Sequence, residues 1–516
     1  MEYTSYKSFF GKYLLGTTYP VERGVTPPIG MERAICWGAP IIELQGMAGE
    51  VGKTGREVIK DLAKANEVRL SWHVPPIEEY ELAYPNPRMN ESAKSLLRQG
   101  LEYAKEIGAE VINMHPTQIV PRQPPDTIYL WRNDLSEMVV ERIPEFEREK
   151  SIREILEDRE RRLKAEILET IQRHDEFAAN FVERIKEINA YIESVKKLPE
   201  LTEVEKLMVQ ELASKLGFPP NFLQEREQVE KFLERLEELK KTYERKLEVE
   251  RMYIERWISA FNPFLERTKL PGSGVEIGVD TPRRILELGY KRMIENFAQN
   301  IAEIAVDAIK KGIKIAIENN DARFLFSTPE EMRDLLEHVY MELEKRGVKR
   351  EEARKYIGTT FDIGHAATLK PLRIKVVDPE TLREKEVLIR GPVEYISRLK
   401  ELGVPIVHVH AHENFGDIDA HLPVGEAFSE EELEKLKEAL QEIKFEGFIL
   451  HEPGPLGGLS YAISLMRTAP ELYKTYGIPT EILGGISYHA PDLLLDPLHF
   501  KKRESYFYGT WIGDLF

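Results

Sequence analysis

A short apolar run that finishes on histidine, aspartate or glutamate recurs along this chain, and few architectures tolerate such a repeat. Arg69-Leu70-Ser71-Trp72-His73 is one; Asn113-Met114-His115, Ala316-Ile317-Glu318, Thr360-Phe361-Asp362, Val407-His408-Val409-His410 and Ile449-Leu450-His451-Glu452 are others. Several begin alike: a glycine ends a helix, one or two residues turn the chain and a strand follows, as after Gly38, Gly108 and Gly312. The count predicts strands near 13–16, 40–45, 68–73, 110–115, 314–318, 359–362, 405–412 and 447–452, with helices between them. Eight such units predict an α/β fold, a closed (β/α)8 TIM barrel whose C-terminal strand ends share one rim. Thr328 with Glu331 and Ser429 with Glu432 form capping boxes that mark two of its helices.

Between the fourth and fifth strands the texture changes. Ile152, Ile155, Leu156, Leu163, Ile167 and Ile171 begin a run at three- and four-residue spacing in a charged background, the mark of a long amphipathic helix. Pro199 ends that helix, Thr202 and Glu205 cap another, and a further long helix is predicted over 222–260. The chain therefore reads as barrel over 1–119, a large all-helical insertion over 120–280, barrel again over 281–456 and a C-terminal extension over 457–516. The insertion either grips substrate or serves as a stabilising arm, and the latter includes contact with a second copy in a homo-oligomer. Residues 371–389 alternate like a β-hairpin, and Tyr506, Phe507, Tyr508, Trp511 and Phe516 should pack the extension back onto the barrel.

Composition narrows the chemistry. No apolar run is long enough to cross a bilayer and residues 1–7 lack the pattern of a secretory leader, so a cytoplasmic protein with no membrane partner is expected. Cys36 is the only cysteine, which excludes an internal disulfide and any cysteine cage, so metal sites must use His, Asp and Glu. The single thiol and abundant Glu and Lys also resemble proteins from hot environments. A net charge of -17 argues against a general grip on nucleic acid, although carboxylates gathered around metals leave room for a local cationic groove.

Six successive strand ends carrying His, Asp or Glu would bury charge at one mouth, at a cost on the order of several kcal/mol each unless metal ions compensate. Candidate ligands are His73, His115, Glu318, Asp362, His365, Glu452 and, from the seventh strand, whichever of His408, His410 and His412 reach the mouth, joined by Asp419 and His421 from the loop that follows.

With these residues the sequence resembles the xylose isomerase-like barrel superfamily, and within it endonuclease IV, the metal-dependent abasic-site endonucleases, over about 1–118 and 285–455. The resemblance implies two or three divalent ions (Zn, Mg or Mn). His73, His115 and Glu318 would hold one; Glu318, Asp362, His410 and Glu452 its neighbour; and His365, Asp419 and His421 a third. It also implies a DNA substrate, cut by endo- or exonucleolytic hydrolysis of phosphodiester bonds, as in DNA repair. Metal-activated hydroxide attacks in line, Glu318, Asp362 and Glu452 serve catalysis, and Asn319 and Asn320 bind substrate. Sugar isomerases and epimerases of the same superfamily need only the quartet Glu318, Asp362, His410 and Glu452, for proton transfer through an enediolate. Net acidity favours that alternative; His73, His365 and the Asp419-Ala420-His421 pair favour the nuclease. The loop Gln45-Gly46-Met47-Ala48-Gly49 lacks the aromatic or basic wedge that prising open an abasic site calls for.

Overall fold

The computed structural model describes residues 15–19, 26–36, 38–117, 119–122, 126–148, 150–369, 372–377, 384–389, 391–414, 419–452, 461 and 464. The chain divides into two compact units, one of Met1–Tyr129, Val140–Ile143 and Gly289–Phe516, the other of Leu130–Val139 and Pro144–Leu288. The second unit begins and ends later than the 120–280 read from periodicity.

The first unit is a closed barrel of eight parallel strands. They are β1 Leu15–Tyr19, β2 Ile41–Gln45, β3 Arg69–His73, β4 Ala109–Met114, β5 Lys314–Glu318, β6 Ile357–Asp362, β7 Ile406–His410 and β8 Phe448–His451. Each neighbours the next in chain order, and β8 closes on β1 with Thr17 opposite His451. Strands buried on both faces need continuous apolar runs, and Ile41, Val111, Ala316, Val407, Phe448 and Leu450 form one cluster at their core. Register sets the rim: Glu318 lies opposite Thr360, Asp362 opposite His410, and His410 opposite Leu450. The first strand is described over Leu15–Tyr19, and the seventh ends at His410, leaving His412 on the following loop.

The helices obey their local signals. Helix Pro87–Ile107 takes its N-cap from Asn86 and ends on Gly108 at φ 84°, a left-handed turn that a side chain would oppose. Thr328 and Ser429 each complete the expected capping box, with Glu331 and Glu432. Leu372–Val377 and Glu384–Ile389 pair antiparallel as the expected hairpin. The connecting residues, and the C-terminal extension apart from Tyr461 and Ser464, lie outside the described residues.

The second unit is built on two long helices, Ile152–Lys196 and Arg226–Phe261, with Glu203–Lys215 between them. They run antiparallel: His174 meets Glu250 and Phe181 meets Tyr243, so one number rises as the other falls. Ile188, Ile192, Val195, Val209, Ala213, Phe222, Phe232 and Leu236 bury together where the helices turn. No helix among the described residues is long and apolar enough to cross a membrane.

Candidate metal centre

The barrel brings all nine candidate ligands to one rim, and three of their groupings hold ligand atoms within 4.8 Å of one another. These are His73, His115 and Glu318; Glu318, Asp362, His410 and Glu452; and a third that joins His412 to His365, Asp419 and His421.

Glu318 is the hinge between the first two groups. Its Oε2 lies 3.3 Å from His73 Nε2 and 3.7 Å from His115 Nε2, and it accepts a 2.6 Å hydrogen bond from Asn113 Nδ2. Its Oε1 faces the other way, 3.3 Å from His410 Nδ1. That same Nδ1 stands 3.5 Å from Asp362 Oδ2 and 3.2 Å from Glu452 Oε2, so three carboxylates surround one imidazole nitrogen. Glu318 and Asp362 are fully buried, whereas Glu452, Asp419 and His421 keep 13, 17 and 23% of their side chains exposed, which makes their edge the way in.

Local structure explains the spacings. Asp362 is the N-cap of the short helix Ile363–Thr368: its Oδ1 accepts from the His365 backbone N–H at 2.6 Å, which leaves Oδ2 for the centre. Asp-x-x-His is therefore a helix start that presents two ligands. The loop after β7 is folded by Asn414, whose Oδ1 accepts from the backbone N–H groups of Ala420 and His421. His421 sits at φ 48°, a left-handed strain that such a brace sustains. Glu413 accepts from the backbone N–H groups of Gly425, Ala427 and Phe428 and clamps the same loop.

The imidazoles are aimed by hydrogen bonds on their far nitrogens. His73 Nδ1 donates to the Val74 carbonyl at 2.8 Å, His365 Nδ1 to the Asn319 carbonyl at 2.8 Å, and His115 Nδ1 to Asn320 Oδ1 at 3.0 Å, so each turns Nε2 to the centre. His410 is reversed, with Nε2 donating to Glu43 Oε1 at 2.9 Å and Nδ1 facing the quartet. Asn319 and Asn320, expected to bind substrate, are fully enclosed and engaged inside the protein. Asn319 bridges the Asp362 backbone, and Asn320 Nδ2 donates to the carbonyls of Thr117 and Leu325. They position ligands and keep no face toward a substrate.

Sequence reasoning missed Glu43, Gln45 and Asn113, and left open which of His408, His410 and His412 reach the mouth. Glu43 is buried below the quartet, where Oε2 is 2.9 Å from His408 Nε2 and accepts from Ser71 Oγ at 3.0 Å; hydrogen-bond distances mark this group as support for His410. Gln45 Nε2 holds Glu452 Oε1 at 3.0 Å. A glutamate inside the apolar run Ile41-Ile42-Glu43-Leu44 was the available signal, since a charge there must have a buried partner.

Unsatisfied atoms test whether metal fits. His73 Nε2, Glu318 Oε1, Asp362 Oδ2, His410 Nδ1, both ring nitrogens of His412 and His421 Nδ1 are buried with no hydrogen-bond partner among the described residues. Each such atom costs about 1–3 kcal/mol, and all of them converge on the groupings above, where a cation would bind them together. Charge agrees. Burial pushes these imidazoles down, yet Glu318, Glu43 and Glu452 raise His73 to about 9, and Asp419 and Glu452 raise His421 to about 9. His365 and His410 are raised well above the ordinary imidazole value, against the same burial, by Asp362, Asp419, Glu318 and Glu43. Burial wins at His115 and lowers it. Burial also raises Glu318, Glu452 and Asp419, but the surrounding imidazoles overcome it and hold all three well below the carboxylate range. The centre draws in protons as substitutes for the cations its donors suit.

Residues 270–469 match the family described as xylose isomerase-like TIM barrel, the superfamily that the sequence resembles. The uncharacterized protein MJ1311 of Methanocaldococcus jannaschii is 32% identical over 170 residues, which cover 32% of this chain and 47% of that protein. The chain thus spans about half the length of this curated relative. Among solved structures, a D-tagatose 3-epimerase-like protein is similar at 18% identity and TM-score 0.41, covering 92% of this chain and 98% of that one. The 3-keto-D-glucoside 4-epimerase YcjR of E. coli is similar at 9% identity and TM-score 0.42, covering 89% and 99%.

Proposed function

We propose that the protein is a divalent-metal-dependent isomerase or epimerase of a small polyhydroxylated carbonyl compound, working at the quartet Glu318, Asp362, His410 and Glu452. The observation that carries this reading is the placement of two glutamates, from β5 and from the end of β8, at 3.3 and 3.2 Å from the same His410 Nδ1. A divalent ion held by the quartet would polarise a carbonyl and its neighbouring hydroxyl, acidifying the carbon-bound proton between them. Glu318 and Glu452, whose carboxyls are held ionised, would be the pair that removes the proton and returns it. Asn113 and Gln45 fix the second oxygen of each glutamate. Asp362 and His410 would hold the ion, and their full burial limits the access of water to it.

This order reverses the one drawn from the sequence. Arg122 and Arg323, on the loops after β4 and β5, are engaged in ion pairs with Glu331 and Asp321, while five carboxylates line the centre and its floor: Glu43, Glu318, Asp362, Asp419 and Glu452. A long polyanion meets repulsion there; a neutral or singly charged small molecule does not. Phosphodiester hydrolysis remains the second reading, favoured by the two faces of Glu318, which suit a carboxylate bridging a pair of ions that activates water.

The test uses metal-loaded protein in D2O with a panel of aldoses, ketoses and their phosphates, followed by proton NMR. Deuterium should enter at the carbon beside the carbonyl, and Glu318→Gln and Glu452→Gln should each slow exchange by about 10²–10⁴-fold. Chelator-sensitive cutting of single- or double-stranded oligonucleotides, with no exchange across the panel, would overturn the isomerase in favour of the hydrolase.

A further inference from the structure

The rim holds a second cluster that the quartet does not use. Resemblance supplies three ligands for an ion there, and the structure adds a fourth. His365 Nε2 and His421 Nε2 lie 3.3 and 3.2 Å from Asp419 Oδ2, and His412 Nε2 lies 3.5 Å from Asp419 Oδ1. A tetrahedron of ligands at about 2.0–2.2 Å from zinc has edges of about 3.3–3.6 Å; His365 Nε2 and His421 Nε2 stand at about that spacing from one oxygen of Asp419 and His412 Nε2 from the other, and all four residues offer a ligand atom within 4.8 Å of the rest. His412 is fully buried and both of its ring nitrogens are without hydrogen-bond partners. It stacks on His421 with centroids 4.1 Å apart, and it is given room by Gly364, where a methyl group would overlap the ring.

The geometry points to His412 as a fourth protein ligand that, with His365, Asp419 and His421, closes a tetrahedral zinc-class site that no substrate enters. Three imidazoles and one carboxylate suit zinc, and four protein ligands leave no open position, the signature of a structural ion. The quartet is the opposite: three carboxylates and one imidazole are hard donors that suit six-coordinate Mg²⁺ or Mn²⁺, which leaves positions for substrate oxygens. With Nε2 on the ion, His412 Nδ1 points to Asp362 Oδ2 at 3.5 Å and steadies a quartet ligand. The closed ion would pin the loop after β7 to the helix start after β6. It would act on the reaction only through that scaffold, so this cluster does not count in favour of hydrolysis.

The inference is independent of which reaction the quartet performs, and its readout is spectroscopic. Metal-free full-length protein is titrated with Co²⁺ and then Zn²⁺. One equivalent of Co²⁺ should give the intense visible bands of a tetrahedral centre, displaced by one equivalent of Zn²⁺ and not by Mn²⁺. Glu452→Gln should keep the bands; His412→Ala and His412→Gln should weaken them and lower zinc affinity by about a hundredfold or more, beyond the usual loss of an outer-shell partner. Far-UV circular dichroism checks that each variant folds. A wild-type spectrum without tetrahedral bands, or a folded His412→Ala protein with unchanged bands and zinc affinity, overturns the proposal. Should both variants unfold, X-ray absorption of the wild-type zinc site decides: three imidazoles support it and two sink it.

Discussion

Glu43→Gln is the most informative substitution outside the ligand set, because it keeps the volume of the side chain and removes its charge. The carboxylate accepts from Ser71 Oγ at 3.0 Å and from His410 Nε2 at 2.9 Å, and its Oε2 lies 2.9 Å from His408 Nε2, all within the buried floor of the barrel. An amide offers one acceptor oxygen and a nitrogen that must donate, so one imidazole has to reverse its tautomer. If His410 reverses, its Nδ1 carries the proton and the quartet loses its nitrogen ligand. Loss of an outer-shell partner costs about 10–100-fold in metal affinity, or about 1.4–2.7 kcal/mol. Calorimetric titration with Mn²⁺ measures the affinity, and ¹⁵N NMR of His410 reads the tautomer. Glu43→Asp, which retains the charge, should recover part of the loss. A folded Glu43→Gln protein with wild-type Mn²⁺ affinity and unchanged His410 tautomer would refute the positioning role.

In the metal-free protein His73 and His421 hold protons up to about 9, above the ordinary imidazole value of the unfolded chain. Their stabilisation is complete below about pH 6.5 and fades as pH rises through about 9, so calorimetry in chelator should show the melting temperature falling across that window. Metal affinity should climb over the same interval with measurable proton release; a rising chelator-treated melting temperature would contradict the charge pattern. Gly364→Ala should displace His412 and weaken the zinc-class site without replacing any ligand, read as a loss of the cobalt bands. In the helical unit, Phe232 is fully buried with ring centroids 5.2 Å from Phe218 and 5.0 Å from Phe222; Phe232→Ala should cost about 3–5 kcal/mol, measured by denaturant unfolding.

Much of this was legible because barrel strands and rim ligands share a local code. Strand β5 declares itself by Gly312, an apolar run and a terminal Glu318, and each of those signals survives without knowing what packs against it. Capping boxes at Thr328 and Ser429 act within four residues and were equally visible. What stayed hidden depends on partners far apart in the chain. Asn319 and Asn320 beside Glu318 resemble substrate ligands until their enclosure by Asp362, Thr117 and Leu325 is known. His412 lies on the same alternation as His408 and His410, yet β7 stops at His410 and only the loop fold braced by Asn414 brings His412 against Asp419. The β8 boundary shows the same limit: its strand stops at His451, and Gln45 from β2 holds Glu452 in place.

Anomalous diffraction from crystals soaked in Mn²⁺ reaches the premise beneath every reaction considered. A peak enclosed by Glu318 Oε1, Asp362 Oδ2, His410 Nδ1 and Glu452 Oε2, at about 2.0–2.4 Å from each, is the predicted result. Saturating metal with no peak among those four atoms would contradict it.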